Sequence, residues 1–204
     1  MTMERATKEC SIRIDFSLEP GIVRVETGIG FLDHLLSALA FHAGLGFQLD
    51  CKGDLYVDDH HSAEDSCILL GKALRAALGD GSGRARFGYA YAPLDEALAR
   101  AVVDLSGRPY AVLDLGLKRP MIGSLASENA EHALRSLATA AGITLHVDLL
   151  RGDNDHHRAE AAFKAVALAL RQALAPSSVY GSGAPSTKGS VDPDGGLSRP
   201  EASA

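Results

Sequence analysis

Asp59-His60-His61-Ser62-Ala63-Glu64 returns later in the chain as Asp155-His156-His157-Arg158-Ala159-Glu160. Histidine and carboxylate at this spacing are metal-ligand chemistry. A pattern met twice points to a duplicated unit, and self-similarity of this kind sets an architecture. The likeness continues upstream. The run from Gly44 to Gly53-Asp54 aligns with that from Gly142 to Gly152-Asp153, and His34 aligns with His132, each in a helix-like stretch.

On a helix, His60 and Glu64 are four residues apart and His61 and Glu64 three, so either pair shares a face. Adjacent side chains point about 100° apart. His60 and His61 therefore serve different ions, or one of them is no ligand, and the same holds for His156 and His157. The candidate ligands are His34, His60, His61, His132, His156, His157, Glu64 and Glu160. Divided evenly, they give each of two metals three imidazoles and one carboxylate, leaving open positions for a substrate on an octahedral ion. Nitrogen-rich sites of this kind suit Mn, Fe, Co, Ni or Zn. Asp59 and Asp155 read as helix N-caps, with support of a ligand imidazole as the alternative. His42 and His146 lie outside the repeated constellation and read as ordinary core or surface residues.

The bulk composition narrows the class. The 204 residues are 46% hydrophobic and 23% charged, as in a soluble globular protein. A formal charge of −6 with no Trp gives no basic, stacking footprint for nucleic acid. No apolar run reaches the ~20 residues needed to span a membrane, and the N-terminus lacks the apolar core of a signal peptide. Cys10, Cys51 and Cys67 are odd in number and show no CxxC spacing. Reduced thiols in a cytoplasmic protein account for them.

Hydrophobic periodicity predicts strands at 11–16 and 22–26, a helix at 31–43, a strand at 45–51 and a long helix at 60–78. A further strand is expected at 86–92, before Pro93. The second half predicts strands at 97–105 and 110–115, a helix at 127–141, a strand at 143–150 and a helix at 156–174. Each half reads as ββαβα. The expected class is α+β: tandem half-domains with mixed sheets and helices packed on one face. The halves are expected at 1–93 and 94–189, sharing one core, with 190–204 a disordered tail.

Five segments in register carry a resemblance. They are Gly28-Ile29-Gly30-Phe31-Leu32-Asp33-His34, the run from Asp58 to Asp65, the run from Asp104 to Pro109, the run from Asn154 to Glu160 with Phe163-Lys164, and Pro185-Ser186-Thr187-Lys188-Gly189. Together they resemble the imidazoleglycerol-phosphate dehydratase family, from about Arg5 to Gly189. The resemblance implies a hydro-lyase of histidine biosynthesis that converts D-erythro-imidazoleglycerol phosphate to imidazoleacetol phosphate and water. It further implies two Mn2+ per active site, sites built between subunits, and a homo-oligomeric cage of twenty-four chains. Two departures stand out: Glu9-Cys10 where the family commonly has Glu-Thr, and no aromatic residue after His132.

By the same resemblance, Glu9 is the candidate for acid–base work, with Glu64 and Glu160 as further carboxylates at the reacting centre. Arg86, Arg108, Ser186, Thr187 and Lys188 form the expected phosphate grip, and Lys164, His34, His60 and His156 are expected against the substrate. The proton to be removed has no carbonyl beside it. The expected route is a metal-bound imidazolate that expels hydroxide to give a diazafulvene-type intermediate, whose adjacent C–H is acidic. A dinuclear metallohydrolase and a metal-storing cage are the rival readings. The first would release phosphate, and the second would have no use for the Arg86, Arg108 and Lys188 set.

Overall fold

The computed structural model describes residues 1–179. Its elements run β1 (Thr2–Ala6), β2 (Cys10–Ser17), β3 (Val23–Glu26), α1 (Gly30–Ala43), β4 (Gly46–Gly53), α2 (His60–Leu78), β5 (Phe87–Leu94), β6 (Ala97–Asp104), β7 (Tyr110–Asp114), β8 (Met121–Ile122), β9 (Leu125–Ala126), α3 (Ser127–Ala141), β10 (Thr144–Arg151) and α4 (Asp155–Leu174). The strands form two four-stranded sheets, ordered β1-β2-β4-β3 and β5-β6-β10-β7. In each, the last pair is parallel and the others antiparallel. One plan has been executed twice, as the repeated sequence requires. The extra residue that the second copy carries in this region is absorbed as a bulge between Leu149 and Arg151.

Period-two alternation decides which way each sheet faces. Along β2, Cys10, Ile12, Ile14 and Phe16 are buried and the residues between them face out. Helices α1 and α2 cover the inner face of the first sheet, and α3 and α4 that of the second. The layers then meet helix to helix, α2 on α3 and α1 on α4. Neither half could bury its helices alone, since Leu35, Leu36, Leu69, Leu70, Leu134 and Leu137 all vanish into one shared core. Each such leucine contributes about 1.5–3 kcal/mol by leaving water.

Helix ends repeat as well. Gly44 (φ 71°) and Gly142 (φ 68°) end α1 and α3 in the left-handed conformation, and each turns its N–H back onto the last carbonyls of its helix. Helix α4 is rich in alanine and buried on nearly all sides. Small side chains let it lie close to β5, where Gly88 faces it. A Cβ at Gly88 would stand 1.9 Å from the Ala169 carbonyl oxygen. Gly88→Ala should therefore force the strand from the helix and cost about 2–3 kcal/mol, read as a lowered urea midpoint.

The expected elements recur with three corrections. Thr2–Ala6 is a strand that periodicity missed, because it is an edge strand with only Met3 and Arg5 half-buried. The strand expected at 86–92 as the end of the first half is hydrogen-bonded to β6, from Phe87↔Asp104 to Leu94↔Ala97. It opens the second sheet, so the break between sheets falls before Phe87 and not after Pro93. That strand runs through Pro93, which an edge position tolerates. The short β8–β9 hairpin was also not foreseen. The end of the second half at Gly189 and the tail 190–204 lie outside the described residues.

Candidate metal centre

Two clusters of ligand-type side chains form, and each draws on both halves. In the first, His34 of α1 meets His156 and Glu160 of α4; in the second, His132 of α3 meets His60 and Glu64 of α2. Within each cluster the three ligand atoms lie within 4.8 Å of one another. Helix geometry brings His156 and Glu160 together one turn apart on α4, with His156 Nε2 3.1 Å from Glu160 Oε2. The packing of α1 on α4 brings in His34, whose Nε2 is 3.0 Å from the same oxygen. In the second cluster His132 Nε2 is 3.1 Å from Glu64 Oε1, and His60 Nε2 is 3.9 Å from Glu64 Oε2. Two imidazoles and a carboxylate at this separation fit bonds of about 2 Å to one divalent transition ion. Nε2 is the atom offered in all four imidazoles.

His61 and His157 stand outside both clusters. Each ring is turned nearly perpendicular to that of its neighbour, His61 to His60 at 78° and His157 to His156 at 90°. His61 Nδ1 donates to Asp54, with both carboxylate oxygens at 3.1 Å. His157 Nδ1 donates to Glu96 Oε2 at 2.7 Å. These partners raise both imidazole pKa values, the Asp54 and Glu96 hydrogen bonds being the largest influence on each. Asn129 Oδ1 is the corresponding partner of His60 Nδ1, at 3.0 Å.

Of the carboxylates, Glu160 is held at about 2: burial pushes its pKa up, but hydrogen bonds from His34 and Lys164 win. Lys164 Nζ sits 2.6 Å from Glu160, so the expected substrate lysine is at the first cluster, paired with a ligand. Glu9 is half-exposed, 3.7 Å from His61 Nε2. Arg86 and Arg108 converge elsewhere in the second half. Arg86 forks onto Asp104 at 2.7 and 3.1 Å, and Arg108 lies 3.9 Å from that carboxylate. Ser186, Thr187 and Lys188 lie outside the described residues. The cysteines are buried, and burial pushes the Cys10 and Cys67 thiols up to about 11 and about 12, which suits no nucleophile.

The aspartates before the histidine pairs differ from expectation in how they are used. Asp59 stands at the N-cap of α2, but its side chain accepts the Ala126 N–H at 2.7 Å and no amide of its own helix. Asp155 is already inside α4; Asn154 caps it, and Asp155 grips the Lys118 and Arg119 amides and Arg158. Both carboxylates tie distant loops to the helix starts. The partners the imidazoles use, Asp54, Glu96 and Asn129, were not foreseen. Asp54 lay in plain view as the end of the repeated Gly-Asp. Glu96 carried no local signal, because only the β5–β6 hairpin brings it to α4.

Comparison with known proteins places the chain among its relatives. The profile of the imidazoleglycerol-phosphate dehydratase family matches residues 27–170. A protein of that name from Neurospora crassa is 63% identical over 169 residues, covering 83% of this chain and 74% of the relative. One from Trichoderma harzianum is 55% identical over 194 residues, with 83% and 93% covered. The crystal structure of the Staphylococcus aureus enzyme superposes with a TM-score of 0.78 at 38% identity, covering 87% of this chain and 99% of the other. That of the Pyrococcus furiosus enzyme, in complex with (S)-C348, gives 0.79 at 37%, covering 92% and 99%. With the family profile matching residues 27–170 and identity this high over most of its length, the chain belongs to the imidazoleglycerol-phosphate dehydratase family.

Proposed function

We propose that this enzyme dehydrates D-erythro-imidazoleglycerol phosphate to imidazoleacetol phosphate in histidine biosynthesis, with two divalent cations, manganese being the expected pair, at each active site. The observation that carries the reading is the pair of Nε2–Nε2–carboxylate clusters, each left one imidazole short of the three expected. His61 and His157 are the missing imidazoles, and since they turn away from the clusters of their own chain, they serve ions held by neighbouring copies. The cations would supply Lewis acidity and a template for the two ring nitrogens of the substrate.

The remaining work falls to side chains. The elimination removes the hydroxyl beside the ring and the proton of the next carbon, through a diazafulvene-type form of the substrate ring; the enol so produced becomes the ketone. Glu9, exposed beside His61, is the group to move that proton. Glu64 and Glu160 serve chiefly as ligands; Glu160, held at about 2, is a poor acid. Arg86 and Arg108, with Ser186, Thr187 and Lys188 of the segment beyond the described residues, would take the phosphate. Lys164 sits beside Glu160 to orient it.

An assembly of copies also suits the outer face of the second sheet. Tyr89, Val102, His146 and Val112 stand in one row across it, with Tyr91 and Tyr110 beside them, all exposed. Such an apolar face marks an association surface. The twenty-four-chain cage is the expected form. That face of the second sheet also carries the Arg100–Asp148 ion pair, and the outer face of the first sheet carries Arg13 with Glu4 and Arg24 with Asp50. Among the described residues, no helix is long and apolar enough to cross a membrane; a cytoplasmic site is proposed. A hydrolase would need a carboxylate shared by both ions, whereas Glu64 and Glu160 each stay within their own cluster.

The test is product analysis on metal-stripped and manganese-restored protein. The expected result is a ketone with its phosphate retained, formed only after restoration. Release of inorganic phosphate would overturn the reading.

A further inference from the structure

The duplication has diverged where the two imidazoles outside the clusters are held. Glu9 and Glu96 are counterparts, each the last residue before the second strand of its sheet. Glu9 stands on the Nε2 side of His61 at 3.7 Å, whereas Glu96 has closed on the Nδ1 side of His157 at 2.7 Å. In the first half the Nδ1 side is taken by Asp54 instead. The two carboxylates are also anchored differently. Glu96 Oε1 accepts the backbone N–H groups of Asp153 and Asn154 at 3.1 and 2.8 Å, so only Oε2 is left for the ring. Asp54 offers both oxygens to His61 at equal distance.

We propose that Glu96 and Asp54 are positioning residues that hold His157 and His61 in the Nδ1–H tautomer, leaving the Nε2 lone pair free for a metal ion of a second copy. This rests on the inter-copy ligand reading above. Imidazole ligands gain both orientation and basicity from such a carboxylate. The difference in anchoring makes the proposal specific. In Glu96→Gln the two backbone N–H groups claim the amide oxygen, so the NH2 faces His157 Nδ1. That nitrogen must then accept, the proton moves to Nε2, and the metal-binding lone pair is lost. In Asp54→Asn the amide can turn by half a rotation and present its oxygen to His61, so the tautomer survives.

The experiment is Mn2+ titration, followed by the paramagnetic resonance signal of free Mn2+, on wild type, Glu96→Gln, Asp54→Asn and His157→Ala, with circular dichroism as the check on folding. Glu96→Gln is isosteric and is expected to fold. It should weaken one class of Mn2+ site about 10–100-fold, while Asp54→Asn weakens binding only a few-fold and His157→Ala loses one class of site. Wild-type binding in Glu96→Gln, with loss in His157→Ala, would overturn the positioning role and leave the proposed function standing. Equal losses in Glu96→Gln and Asp54→Asn would overturn the tautomer argument. Undiminished binding in His157→Ala would overturn the inter-copy ligands themselves, and this inference with them.

Discussion

Replacing His61 with alanine is expected to remove one metal ion per chain and to lower turnover by at least about 10³-fold, since a Lewis-acidic ion is worth several kcal/mol to the barrier. The imidazole offers no ligand atom to the clusters of its own chain, so an intrachain account predicts no metal loss. An account in which its Nε2 completes a neighbour's site predicts loss of the ion and of the contact between copies. Elemental analysis and light scattering on the same sample therefore decide together. Full metal content with an unchanged particle size would refute the assignment. His42→Ala, which sits on the same layer of helices but in neither cluster, is the control expected to keep both.

The largest loss of stability is expected at Asp155. Asp155 is 3% exposed and Arg158 4%. Asp155 Oδ2 receives the Lys118 and Arg119 amides at 3.0 and 2.6 Å, and Oδ1 receives Arg158 Nη1 at 2.9 Å. Arg158 in turn donates to the Gly152 and Gly116 carbonyls. Asp155→Ala leaves a guanidinium and two amides without their acceptor in a dry site, at a cost of about 3–5 kcal/mol, read by urea unfolding at neutral pH. Burial pushes the Asp155 pKa up, but the loop amides and Arg158 leave it below its ordinary 3.8. A lowered folded-state value stabilises the fold above that ordinary value, and the contribution fades as pH falls through the folded one. The difference between wild type and variant should accordingly shrink below about pH 4. A constant difference across that range would contradict the charged state of Asp155. Because Asp155 precedes His156 and His157, metal affinity should fall with it.

Much of this was legible along the chain. Helices 60–78 and 127–141 stand where their apolar period placed them, because a helix with one buried stripe carries its whole signal in neighbouring turns. The missed strand Thr2–Ala6 and the misassigned Phe87–Leu94 are edge strands, whose identity lies in hydrogen bonds to a partner and not in their own alternation. The grip of Asp155 was misread as a cap for the same reason, since its partners lie 36 and 37 residues away.

The sequence by itself determined that there are two copies of one unit, that four imidazole and carboxylate positions recur in both, and that adjacent histidines must part company, because 100° between successive side chains is a property of any helix. Only the tertiary structure decided the partnerships. His34 joins α4 of the other half and His132 joins α2, because α1 packs on α4 and α2 on α3 when two sheets bury their helices against each other. Which imidazoles stand outside the clusters, and which carboxylates they meet, followed from that packing and from a hairpin that carries Glu96 to His157. Contacts between residues far apart in sequence depend on where the elements come to rest, and no local pattern encodes that.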